Sequence, residues 1–135
     1  SIELVVCSPL TRALQTAILA FGPSTCQILP NPALREVSPR GYGPAGDPQQ
    51  PECRGRPVPE LREDARLQSE AVDWRLLPET SQPWWSATVE PQEDFDARLL
   101  SFCDWLGERP ESCLAVVCHY NVIQRLLGIR GMRVE

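Results

Sequence analysis

The sequence predicts an α/β fold: a mostly parallel sheet covered by helices on both faces, as a three-layer αβα sandwich. Two observations carry that expectation. The first is a pair of strand, turn, helix units, Ile2 to Cys7 running through Ser8 into a helical pattern and Cys113 to Cys118 running through His119 into another. The second is that both strand segments are mostly apolar rather than alternating, as a strand buried on both faces requires. At 135 residues the chain is one domain, or part of one.

Each element has its own signal. Ile2 to Cys7 ends at Ser8 and Pro9, where Ser8 is placed to cap a helix and Pro9 fits its first turn without losing a needed donor. Leu10, Ala13, Leu14, Ala17, Ile18 and Phe21 share one face of that helix, and Gly22 with Pro23 stops it. Cys26 to Leu29 reads as a second strand. From Pro39 to Pro59 six Pro and four Gly predict a long surface loop. A loosely periodic stretch from Pro59 to Leu77 predicts a helix through Leu61, Ala65, Val72 and Leu76, and Trp84 and Trp85 fall in a loop. Phe95, Leu99, Phe102, Cys103 and Leu106 predict an amphipathic helix from about Glu93 to Gly107. After the Cys113 to Cys118 strand, Val122, Ile123, Leu126 and Leu127 predict a last helix closed by Gly128.

Composition removes whole classes of function. A formal charge of −5 argues against a broad electrostatic grip on nucleic acid or an anionic membrane, so any anionic substrate needs a local basic pocket. All 13 basic residues are Arg, which excludes P-loop lysines, Schiff-base lysines and lysine general bases. With one His, His119, no HExxH zinc site can form. Cys7, Cys26, Cys53, Cys103, Cys113 and Cys118 lack CxxC spacing and read as free intracellular thiols. No apolar run approaches the roughly 20 residues of a membrane span and no leader is visible, so the expected location is the cytoplasm. The chain opens on Ser1 directly into a strand, and its true amino terminus is expected to lie elsewhere.

Parallel sheets bind ligands at the carboxyl ends of their strands, so both turns carry candidate chemistry. At the first, the Ser8 to Arg12 turn sets a guanidinium beside the donors of a helix amino terminus, a pairing suited to phosphate; the plainer reading is a capped helix with a solvated Arg. His119 ends the other strand, facing the same crevice, as a catalytic or a hydrogen-bonded structural residue. Glu90, eight residues before Arg98, and Glu36, after Leu34 and Arg35, are surface carboxylates by composition alone. A cysteine-phosphatase loop needs five residues between Cys and Arg. Cys7 and Arg12 have four, and Cys118 and Arg125 have six.

Assembled, these segments resemble the histidine phosphatase superfamily, the phosphoglycerate mutase-like family. SPLTRALQTA at Ser8 to Ala17 is similar to its SPLxRAxQTA element, and LAVVCHYNVIQRLLG at Leu114 to Gly128 to its VVSHGGxIRxLLG element. Between them LREV at Leu34 to Val37 is similar to a Leu-x-Glu element, and EPQEDFDAR at Glu90 to Arg98 keeps the spacing of ESxxDFxxR. The stretch from Pro39 to Trp85, with its Trp pair, is most similar to fungal and plant members. The resemblance implies Arg12 and Ser8 as substrate-binding residues, His119 as the second active-site histidine and Glu90 as the proton donor. It implies a phosphorylated small molecule as partner, with no metal, no cofactor, no nucleic acid and no membrane.

The family's attacking histidine lies in an Arg-His-Gly element upstream of the first segment, and this sequence starts after that point. The expectation is therefore one partial domain over residues 1–135, incomplete at the amino terminus, lacking the first strand and helix and inactive alone. Tyr120 stands where the family has Gly, and Pro91 where it has Ser. The activity implied for the intact form is phosphomonoester hydrolysis through a phosphohistidine. The rival is a noncatalytic phosphate-binding or interaction module.

Overall fold

The computed structural model describes residues 1–22, 26–37, 54–86 and 89–130. Three strands, β1 (Leu4–Cys7), β2 (Gln27–Pro30) and β3 (Leu114–Val117), form a parallel sheet in the order β2-β1-β3. The register pairs Val5 with Ile28 on one side and with Ala115 on the other. The two strands that precede the candidate turns are thus direct parallel neighbours, as expected from their shared pattern.

The layers follow from the two-residue period of a strand. In β1, Val5 and Cys7 pack with Leu14 and Ala17 of α1 (Thr11–Phe21) and Val58 and Leu61 of α2 (Val58–Glu63). Leu4 and Val6 pack on the opposite face with Phe95, Leu99 and Phe102 of α3 (Gln92–Gly107) and Val122 of α4 (Tyr120–Arg130). Because both faces are covered, every β1 residue is buried, which explains its unbroken apolar run. Each fully buried Val or Leu here contributes roughly 1.5–3 kcal/mol over an exposed one.

β3 is different. Among the described residues it pairs only with β1, and Val116 on it is 38% exposed, with Ile2, Tyr120 and Ile123 also exposed. The sheet therefore ends in an open edge with apolar side chains around it.

Four departures from the sequence expectation have a local physical cause. The first helix starts at Thr11, with Leu10 and not Ser8 preceding it, because the Ser8 hydroxyl accepts the Leu10 amide proton at 3.2 Å and closes a turn. The Pro-rich loop is expected to reach Pro59, yet α2 begins at Val58, where Pro59 sits in the first turn and loses no helical bond; residues 38–53 of that loop lie outside the described residues. The expected helix from Pro59 to Leu77 stops at Glu63. Asp64 then caps a single 3-10 turn, Ala65–Leu67, by accepting from the Arg66 amide, and Val72 is drawn into a bridge with Ile28. Finally, α4 continues through Gly128 to Arg130, since a helix-interior glycine costs only about 1 kcal/mol and stops nothing by itself. No helix among the described residues is long and apolar enough to cross a membrane.

Candidate active site

The carboxyl ends of the three strands meet at one edge of the sheet. The Ser8 amide donates to the Val117 carbonyl at 2.9 Å, and the Asn31 amide to the Cys7 carbonyl at 2.8 Å. These bonds carry the ladder one residue past β1 and bring Ser8 beneath His119. Ser8 Oγ and His119 Nε2 are 2.7 Å apart, with Ser8 0% and His119 7% exposed.

That contact sets the imidazole's state. Burial first, then the charges of Arg12 and Arg98, push His119 down to about 4, so the ring is neutral near pH 7. Ser8 Oγ accepts from the Leu10 amide and shares one further hydrogen bond with Nε2, donating to a ring protonated on Nδ1 or accepting from a ring protonated on Nε2. In the tautomer protonated on Nδ1, Nε2 accepts from Ser8 and neither nitrogen has a free lone pair, so that form of His119 is a hydrogen-bond donor and not a nucleophile.

One expected result follows. As the chain's single histidine, His119 gives one imidazole signal by NMR, and it will titrate near 4. A folded value below the unfolded 6.5 means that the unfolded chain takes up this proton first on acidification. His119 therefore lowers stability as pH falls from about 6.5 toward 4, and costs nothing above that window. A signal titrating near 6.5 would show that the ring is neither buried nor under the charges of Arg12 and Arg98.

Glu90 is enclosed by arginines. Its Oε2 accepts from Arg35 Nη2 at 3.0 Å, and its Oε1 accepts from Arg98 Nη2 at 2.8 Å, with Arg98 Nε donating to both oxygens. The side chains of Glu90, Arg35 and Arg98 are 10%, 19% and 11% exposed. Arg98 is itself fixed, donating to the Ala33 carbonyl at 2.5 Å and lying over the Phe95 ring at 4.7 Å. Arg35 donates to the Pro32 carbonyl at 3.0 Å. Burial first, then Arg98, lowers the Arg35 pKa, with Glu90 pulling it back.

Arg98 thus links the two halves of the site, since its charge reaches His119 while its side chain grips Glu90. Glu36 is half-buried, and its charge acts on Cys118 beside His119. Arg12 sits exposed on the first turn of α1 with its charge also felt at His119. Sequence reasoning had not singled out Arg35 and Arg98 as functional. The signal was present, because both fall inside the LREV and EPQEDFDAR segments next to the carboxylates that drew attention.

Cys7 and Cys118, the cysteines that end β1 and precede His119, offer no alternative nucleophile. Burial pushes the Cys7 thiol far above its ordinary range. Burial also carries Cys118 up to about 11, opposed by a hydrogen bond from the His119 backbone and assisted by Glu36. Neither is a thiolate near neutrality.

Comparison with known proteins matches residues 1–133 to the histidine phosphatase superfamily (branch 1). The chain belongs to that superfamily. It is also 32% identical over 145 residues to phosphoglycerate mutase-like protein 1 of Arabidopsis thaliana, a match covering 94% of this chain and 51% of that protein. This histidine phosphatase chain therefore spans about half the length of that relative. No solved structure matches it. Among the described residues no group of three or more His, Cys, Asp and Glu side chains is arranged to hold a metal ion.

Proposed function

We propose that this chain supplies the phosphate-holding part of a metal-independent phosphomonoester hydrolase whose attacking histidine lies outside these 135 residues. The observation that carries the reading is the buried, neutral His119 held on Ser8 at 2.7 Å under the charges of Arg12 and Arg98, at the carboxyl end of a parallel sheet. In the proposed reaction a second histidine attacks phosphorus, the P–O bond to the alcohol breaks, and Glu90 protonates the departing oxygen. Water then attacks phosphorus as the P–N bond breaks, the Glu90 carboxylate takes the proton from that water, and phosphate leaves with the histidine restored. Arg12, Arg98 and His119 Nδ1–H donate to the equatorial oxygens as their charge grows. Ser8 contributes through His119, whose ring it orients. To act as the acid, Glu90 must first release an oxygen from one of the two arginines and take up a proton from solvent.

The open edge of β3, with Val116 and Ile123 exposed beside it, supports a further strand pairing there. Hydrolysis is preferred to mutase chemistry because the resemblance runs to the fungal and plant members. The free thiols Cys7, Cys113 and Cys118 support a reducing compartment, and the cytoplasm is the proposed location. The proposed substrate is a phosphorylated small molecule.

Arg12→Lys in the full natural chain tests the reading. The variant keeps the charge but loses the planar fork, and kcat/KM on phosphomonoesters will fall at least about tenfold, or ~1.4 kcal/mol. Unchanged kinetics would return Arg12 to a solvated helix position and favour the noncatalytic module.

A further inference from the structure

Two hollows flank Trp85. One, of about 550 Å³, contains Glu90, Arg35 and Arg98. The other, of about 580 Å³, is lined by Thr11, Arg54, Gly55, Arg56 and Glu60, and it shares Pro83 and Trp85 with the first. The second hollow thus begins at the residue next to Arg12 and ends at the wall of the Glu90 hollow.

Its walls are fixed before any ligand arrives. Arg56 donates through Nε to Thr11 Oγ1 at 3.1 Å and through Nη2 to Asp64 at 2.7 Å. Trp84 Nε1 donates to the Arg56 carbonyl at 2.7 Å, and the Trp84 and Trp85 rings meet edge to face at 5.4 Å. A Cβ on Gly55 would come within 2.5 Å of Trp85 and 2.7 Å of Trp84, so only glycine lets the loop lie against the indoles. The two arginines differ in how they are held. Arg56 is matched by Asp64, while Arg54 is exposed and has no carboxylate partner among the described residues. Glu60, also exposed, is the sole carboxylate in the lining.

We propose that this hollow is a leaving-group subsite that selects phosphomonoesters whose alcohol is flat and carries a second anionic group, the ring lying on Trp85 and the anion on Arg54. The inference rests on the phosphatase reading and adds to it a substrate class.

The test compares inorganic phosphate, benzylphosphonate and 4-carboxybenzylphosphonate, the last two being unable to turn over, by calorimetric titration of the full natural chain at low salt. The carboxylate is expected to tighten binding roughly fivefold over benzylphosphonate. Arg54→Gln should erase that difference and leave phosphate and benzylphosphonate unchanged. If those two bind and the carboxylate adds nothing, or if Arg54→Gln leaves the preference intact, the subsite is overturned while the phosphate site stands. If none of the three binds, the phosphate site itself is wrong and the subsite falls with it.

Discussion

Purified alone, the 135-residue chain will show no phosphatase turnover above buffer on an aryl phosphate and will form no acid-labile phosphoenzyme. The expectation comes from counting lone pairs. The sequence holds one histidine, and in the proposed reaction it grips the phosphoryl group through Nδ1–H while its Nε2 accepts from the Ser8 hydroxyl. Cys7 and Cys118 are held as thiols by burial. Phosphomonoester hydrolysis is among the slowest uncatalysed reactions, so a site that only holds the phosphoryl group leaves nearly the whole barrier in place. The same chain will be poorly stable, because Val116 and Ile123 remain exposed beside the open edge of β3. The measurement sets the 135-residue chain beside the same protein extended upstream. Turnover by the shorter form that disappears in His119→Ala would mean that His119 is the nucleophile and that the proposed division of labour is wrong.

Glu90→Gln will have two large and separable effects. The first is on stability. Arg35 and Arg98 would be left facing each other with 19% and 11% of their side chains exposed and no carboxylate between them. Breaking a largely buried ion pair from one side costs about 3 kcal/mol, which for a domain of this size lowers Tm by roughly 10 °C. The second effect is on the chemical step in the full natural chain. An alkyl alkoxide needs a proton to depart, whereas a nitrophenolate does not. Loss of the acid should therefore depress kcat about 100-fold on an alkyl phosphate and far less on 4-nitrophenyl phosphate. Equal losses on both substrates, measured below the melting transition, would reduce Glu90 to a counter-ion for the two arginines.

How much of this was legible in the sequence depends on the reach of each signal. The strands β1 and β3 and the helices α1 and α3 were readable because apolar periodicity, proline and glycine act over a few residues. Their observed ends differ from the expected ones by only one to three positions. The stretch after Pro59 was not readable. Its loose apolar spacing suits a helix, but Asp64 turns its carboxylate to the Arg66 amide, and Val72 pairs with Ile28 across the fold.

The site divides in the same way. The sequence by itself put Arg12 and His119 at strand ends, and the parallel order of a doubly covered sheet required those ends to share an edge. Only the tertiary structure decided what each group does there. Ser8 meets His119 across 111 positions, Arg35 reaches Glu90 across 55, and Arg98 reaches the Ala33 carbonyl across 65. No local pattern encodes such pairs, because they exist only after β1 and β3 have been laid side by side and α3 packed on Leu4 and Val6. The Ser8 hydroxyl is the plainest case: in the sequence it is a helix cap, and in the fold it is the hydrogen-bond partner of the buried His119 imidazole.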